Sequence, residues 1–536
     1  MNLPLPDATI VAVLLGGLIG VGYWARRLTR SVSHFTVAGR EVGMWLGLDM
    51  SMLAEGIGLI SIANACQQGF VNGFSVIWLN LGGLLLIDIP LFGIIGLGIK
   101  RYRATNVQTL PQFYEMRYGR AVRIFAGITL ALGGVLNMAI FPIVGSQFLT
   151  EFLNIPNRVL LDLGFYQFGS FHLVLFIVLS LACFFTMIGG MMAVILTDYI
   201  QSILIFISIT VISVLILKAT GLSGIREAID THLGDAAFNP LSTRSIGPVF
   251  VVVFLLGAVT HRLAFPPSLQ KMSAAKSPEV VRKMFLLSTI FGQGRGMLLV
   301  VWGVGALALF GPAVPEGYGP EIYHRVVGAR MIRTLTDGVP LLKGVALAGF
   351  VFAFISTVDS YMLSWASLIG NDCICAIRRK RLSSSKHVAL LRWCSIGIAG
   401  FIFFFGCWYD PKQTILQYFY LTGVIFGACG LLTWFGLYWR RSSPAGAWAC
   451  LVLGIVVPAS WFVFQKHFPG GTDLPPWVND DSAALAGTVL PALALIVVSL
   501  LTRPKGSFVD YGKKLKEMAM LEMAAEQATK DKCLPT

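Results

Sequence analysis

Along this chain, apolar runs of roughly 17 to 25 residues alternate with short polar connections, the pattern of helices that cross a hydrocarbon layer about 30 Å thick. Thirteen such spans are read from it, at about 7–25, 43–66, 74–99, 121–152, 172–190, 193–217, 246–270, 280–311, 340–372, 388–408, 415–438, 444–465 and 482–501. The expectation is an all-α integral membrane protein: one transmembrane domain over residues 1–502 and a tail over 503–536, whose stretch Lys513–Lys530 is a short amphipathic helix or disordered. The first apolar run follows Asp7 and no basic residue, so it reads as a retained helix rather than a cleaved leader.

Composition sharpens the class. With 56% hydrophobic and 13% charged residues the chain is too apolar for an ordinary soluble domain. Its formal charge of +14 raises the question of a nucleic-acid partner, but the basic residues sit in short connections with no stripe interleaved with aromatics, so anionic lipid and topology account for them better. Placing Met1 outside and Thr536 inside puts 29 of the 41 basic residues on the cytoplasmic side, as the positive-inside rule requires of a cell (plasma or inner) membrane protein. Nine cysteines, an odd number lying mostly within spans, argue against a disulfide framework, and Cys373-x-Cys375 lacks further ligands at metal-binding spacing.

Ionisable side chains inside spans are expensive and mark function or buried pairing. They are Asp49, Glu55, Asp88, Asp198 and Asp359, with Arg262 and Arg295 as possible counter-ions. Asp88, beside Pro90, reads as structural. The second span is interrupted at Leu53-Ala54-Glu55-Gly56-Ile57-Gly58, and the seventh at Gly257-Ala258-Val259-Thr260-His261-Arg262, followed by Pro266-Pro267. Glycines there either pack helices closely or free carbonyls that must face protein, water or an ion. Matched breaks carrying charge favour a transport site near the midplane. In the ninth span Ala353, Ser356, Thr357 and Ser360 lie at i, i+3, i+4 and i+7, one small polar stripe whose hydroxyls either bond back to their own helix or ligate a hard cation. His261 and Arg262 offer donors to a carboxylate, with snorkelling or an acid partner as the alternative for the arginine.

The competing classes fare worse. A membrane-bound transferase needs a clustered catalytic set, whereas the seven histidines are scattered and no G-x-S-x-G, H-E-x-x-H or C-x-x-C occurs. A transporter-fold sensor needs an output domain, and the short tail holds none. A proton-coupled carrier, with Glu55 or Asp198 carrying the proton, and a sugar or polyol carrier remain rivals within the transporter class.

Five segments in order carry a family resemblance: HFTVAGREVGMWLGLDMS (34–51), TLPQFYEMRYGRAVRIFAG (109–127), MIGGMMAVILTDYIQSILIF (187–206), LQKMSAAKSPEVVRKM (269–284) and AFISTVDSYMLSWASLIGND (353–372). The chain resembles the sodium/solute symporter family, which includes proline, sodium/glucose and sialic-acid symporters. The resemblance implies a leucine-transporter-type core of two inverted five-helix repeats, about 43–217 and 246–438, in a monomer that moves a small organic solute with sodium and catalyses no reaction. It implies a sodium site made of the carbonyls of Leu53, Gly56 and Ala353 and the hydroxyls of Ser356 and Thr357. Asp198 matches an aspartate near the cytoplasmic ion exit that helps form a second sodium site in some members; Ala353 stands where that site wants a hydroxyl, so a second sodium is not expected. Glu55 stands where proline symporters carry an aspartate, and Asn80, Asn137 and Tyr420 fall near family substrate positions, beside His261 and Arg262.

Overall fold

The structure, a computed structural model, describes residues 3–29, 31–47, 57–164, 166–378, 382–409, 415–467, 478–502, 504, 508–518 and 520. Leu53, Gly56, Glu55 and Asp49 lie outside the described residues, as does the side chain of Tyr420. Among those described, ten helices are long and apolar enough to cross a bilayer. This is a coarser result than the thirteen expected spans, because the second falls partly on undescribed residues, the fifth and sixth run together as one helix, and the eleventh counts only as the shorter apolar helix Phe426–Tyr438.

The helices used below are α1 (Leu5–Ala25), α2 (Val32–Val37), α3 (Met44–Gly47), α4 (Leu59–Asn72), α5 (Ser75–Gly83) with its wider continuation Leu84–Ile95, α6 (Ile99–Ala104), α7 (Leu110–Tyr118) and α8 (Arg120–Phe152). After a two-stranded antiparallel hairpin (Val159–Asp162 and Gln167–Gly169), a departure from an all-α expectation, come α9 (Ser170–His232), α10 (Pro248–His261), α11 (Pro266–Ala274), α12 (Pro278–Phe310) and α13 (Pro320–Thr336). The chain ends with α14 (Leu342–Leu368), α15 (Ser384–Trp408), α16 (Ile415–Tyr438), α17 (Pro444–His467) and α18 (Asp480–Leu501). In the tail, residues 511–518 are helical, and Tyr511 is buried against Phe113 of α7.

Local sequence explains the irregular places. Pro90 has no amide hydrogen for the helical ladder, and around it the chain widens to i→i+5 bonding over Leu84–Ile95. The 63-residue α9 departs from helical geometry at Gly190, whose φ of 62° and close approach to Phe35 leave no room for a side chain. The break in the seventh span lies at 262–265, one turn later than the glycine-led expectation. Helix α10 runs straight through Gly257 to His261, and the chain restarts at Pro266, a residue suited to a helix's first turn.

Burial ranks the helices. The apolar window of the stretch holding α14 is 83% buried, against 17% for that holding α1. Helix α14 is therefore the central post, and its polar stripe faces protein, not lipid.

Candidate ion and solute site

Helix α4 begins at Leu59 after Gly58, whose extended backbone (φ −81°, ψ 163°) closes the interruption predicted in the second span. A side chain on Gly58 would meet the Thr357 hydroxyl at 2.2 Å, so the absence of a Cβ lets the chain at the break lie directly on α14. The Thr357 hydroxyl is buried and has no hydrogen-bond partner among the described residues. It does not bond back to its helix, as Thr186 and Thr197 do on α9. Ala353 is buried one turn before it, and Ser356 is half-buried on the adjoining face.

Further along α14, at the edge of the stripe, a charged residue follows. Asp359 is fully buried, and neither carboxylate oxygen makes a hydrogen bond of regular geometry among the described residues. Beside it, the Asp198 carboxylate accepts from Lys271 Nζ at 2.9 Å and from the Ser360 hydroxyl at 3.2 Å through the same oxygen. The other Asp198 oxygen has no partner among the described residues. Lys271 is 1% exposed and Asp198 4%. Lys271 was not among the residues singled out in the sequence; its place one turn beyond the double proline was the available signal.

The break between α10 and α11 is held from three sides. The Val259 carbonyl accepts from Trp434 Nε1 at 3.0 Å, and the His261 carbonyl from the amides of Ala264 and Phe265. Arg262 donates to both oxygens of Asp88, each at 2.9 Å. Its planar fork, expected to face a solute anion, thus has a carboxylate within the protein. Phe265 joins Tyr361, Trp365 and Phe426 in an aromatic cluster extended by Phe141, which pattern reading alone did not find.

Of the expected solute residues, two converge on α16. Asn137 Nδ2 donates to the Thr422 hydroxyl at 2.6 Å, and the His261 ring lies where a methyl on Gly423 or Gly427 would touch it at 3.8 or 3.9 Å. Asn80 instead donates to the Val76 carbonyl of its own helix at 2.9 Å. On the face bearing the basic connections, the Val42 amide donates to the Ala274 carbonyl and the Val42 carbonyl accepts from the Lys276 amide. Arg103 adds a bond of 2.8 Å to the Ala275 carbonyl. These bonds tie the segment before α3 to the C-terminal end of α11.

A family model described as the Sodium:solute symporter family matches residues 35–454. The chain is similar to the osmoregulated proline transporter OpuE of Bacillus subtilis (strain 168), 23% identical over 508 residues that cover 92% of this chain and 94% of the relative. It is also similar to the sodium/proline symporter of Staphylococcus aureus (strain JH9), 24% identical over 517 residues, 94% of each. Among solved structures, a Na+-coupled sialic acid symporter in a substrate-bound outward-open state matches with a TM-score of 0.76, at 16% identity, over 94% of this chain and all of that one. A nucleobase-cation-symport-1 family transporter in a closed conformation matches with a TM-score of 0.56, at 15% identity, over 90% and 98%. At such identities the likeness is one of fold.

Proposed function

The chain belongs to the sodium:solute symporter family, and from that premise we propose that this Na+-coupled symporter imports a small carboxylate-bearing solute, an amino acid in the first instance. The proline transporters among its relatives motivate the solute class. In the same proposal the chain crosses the membrane thirteen times, with the basic face cytoplasmic, Met1 outside and residues 503–536 as a cytoplasmic tail. Residues about 43–217 and 246–438 form the inverted repeats of a single transmembrane domain, and the chain works as a monomer.

The observation that carries the ion site is the Thr357 hydroxyl, buried without a partner among the described residues and pressed against the backbone of Gly58. Sodium takes oxygen ligands, and a helix break beside a free hydroxyl supplies them. In the proposed site Thr357 and Ser356 give hydroxyls, and Leu53, Gly56 and Ala353 give carbonyls. Sodium bound there joins the second span to α14 and favours the state competent for solute by its differential affinity. Asn137 and His261, with Glu55 and Tyr420 completing the chamber, contact the solute. Arg262, paired with Asp88, orients His261 from the break.

A thermal-shift screen on the purified protein tests this, with amino acids including proline, then sugars and polyols, in sodium and in potassium buffer. The expected outcome is stabilisation by an amino acid in sodium only, since a ligand that binds the folded state alone raises stability by mass action. Stabilisation by a sugar or polyol alone overturns the solute class, and sodium-independent stabilisation overturns the coupling site.

A further inference from the structure

Three charged side chains meet in the interior where α9, α11 and α14 pack together: Asp198, Lys271 and Asp359, at 4%, 1% and 0% exposure. Two carboxylates face one ammonium. The Lys271 ammonium is committed to Asp198, from which it stands 2.9 Å, and the Ser360 hydroxyl adds to the same oxygen. Asp359 lies beside this pair, and neither of its carboxylate oxygens has a hydrogen-bond partner of regular geometry among the described residues. With both carboxylates ionised the cluster is one positive charge short among the described residues, and at such a depth an uncompensated carboxylate takes up either a proton or a cation.

The missing charge has a source one turn away. Asp359 follows Ser356 by three residues on α14, so the two side chains neighbour one another on the helix surface. The unpartnered Thr357 hydroxyl adjoins Ser356. A cation held by those two hydroxyls sits beside Asp359 and brings the cluster to neutrality. We propose that the coupling sodium is the fourth member of this cluster: Asp359 supplies the charge that retains it, and Lys271 is a built-in cation that leaves room for only one sodium. This rests on the sodium site proposed above and deepens it. It assigns Asp359 a cation-holding role and Lys271 a stoichiometry-setting one. Since α11 follows the break and carries Lys271, movement of α11 in the cycle changes the charge around the ion, linking sodium release to the rearrangement of the second repeat.

The test is a charge count with 22Na+ binding to the full-length purified protein, without solute. Wild type is expected to bind one sodium. Asp359→Asn, nearly isosteric, removes the deficit and is expected to weaken sodium binding at least tenfold with both hydroxyls in place. Lys271→Met doubles the deficit and is expected to raise the count to two. The double variant Lys271→Met/Asp359→Asn holds one carboxylate and no lysine, and is expected to return to one sodium with affinity above that of Asp359→Asn. Restoration by combining two damaging changes is not what a merely structural role produces.

Two sodium ions per wild-type protein, or wild-type affinity in a folded Asp359→Asn protein, overturns the inference even if Lys271→Met fails to fold. Thr357→Ala separates the two levels. If it keeps sodium binding while Asp359→Asn loses it, the hydroxyl site fails and the cluster stands; the reverse pattern sinks the cluster and leaves the hydroxyl site.

Discussion

Asp88 and Arg262, 174 residues apart in sequence, close on each other through two hydrogen bonds of 2.9 Å, Nε to Oδ1 and Nη2 to Oδ2. The carboxylate sits in the widened segment before Pro90, and Arg262 is the residue that ends α10 at the break. Both side chains are largely buried, at 3% and 15% exposure. The pair holds an unwound segment at a fixed place beside the proposed solute chamber, which a helix without its hydrogen-bond ladder does not do unaided.

Removing one partner leaves the other charge buried, at a cost of about 3 to 5 kcal/mol. Asp88→Asn and Arg262→Gln are each expected to lower the melting temperature of the purified protein, and the double variant to recover a large part of the loss. Additive losses in that cycle would show that the two side chains do not support one another.

Arg262→Lys keeps the charge but loses the planar fork. It is expected to reduce stability while leaving the apparent solute constant within about threefold, or roughly 0.7 kcal/mol. A rise of tenfold or more in that constant, at unchanged stability, would return the arginine to direct solute recognition.

Ser356→Ala and Thr357→Ala each remove one proposed sodium ligand and almost no volume. Both proteins are expected to reach the membrane in normal amount and to need at least about tenfold more sodium for half-maximal uptake, a loss of roughly 1.4 kcal/mol in ion binding. Wild-type sodium activation in both would move the ion elsewhere.

Gly58→Ala probes the same place from the other side. An added methyl meets the Thr357 hydroxyl at 2.2 Å and its Cβ at 2.8 Å, so the break must withdraw from α14. Since φ at Gly58 is −81°, alanine suffers no backbone strain there, and the effect is steric. Uptake is expected to fall severely in a protein that still folds; normal sodium-driven uptake would show that the close approach is not needed.

In proteoliposomes, uptake is expected to require an inward sodium gradient and to ignore a proton gradient imposed in sodium-free buffer. An inside-negative potential should accelerate it, since each net positive charge moved inward gains about 2.3 kcal/mol per 100 mV. Strong proton-driven uptake without sodium would transfer Asp198 or Glu55 to a proton relay.

The membrane class, most of the spans and the family were legible in the chain itself, and the break in the seventh span was legible to within a turn. Each depends on a local property: the length of an apolar run, a double proline, a short ordered motif. The polar stripe on α14 was likewise visible, because helical periodicity places Ala353, Ser356, Thr357 and Ser360 on one face wherever the helix sits. Pairing was not legible. Lys271 reads in sequence as one more charge at the end of a span, and only the packing of α11 against α9 and α14 turns it inward to Asp198, 73 residues away. Arg262 equally suits a solute carboxylate or a protein one, and the approach of the segment before Pro90 decides for Asp88. Sequence determines which side chains carry charge into the membrane; tertiary structure decides which charges meet, because burying an ion is tolerable only beside a partner that packing brings from elsewhere in the chain.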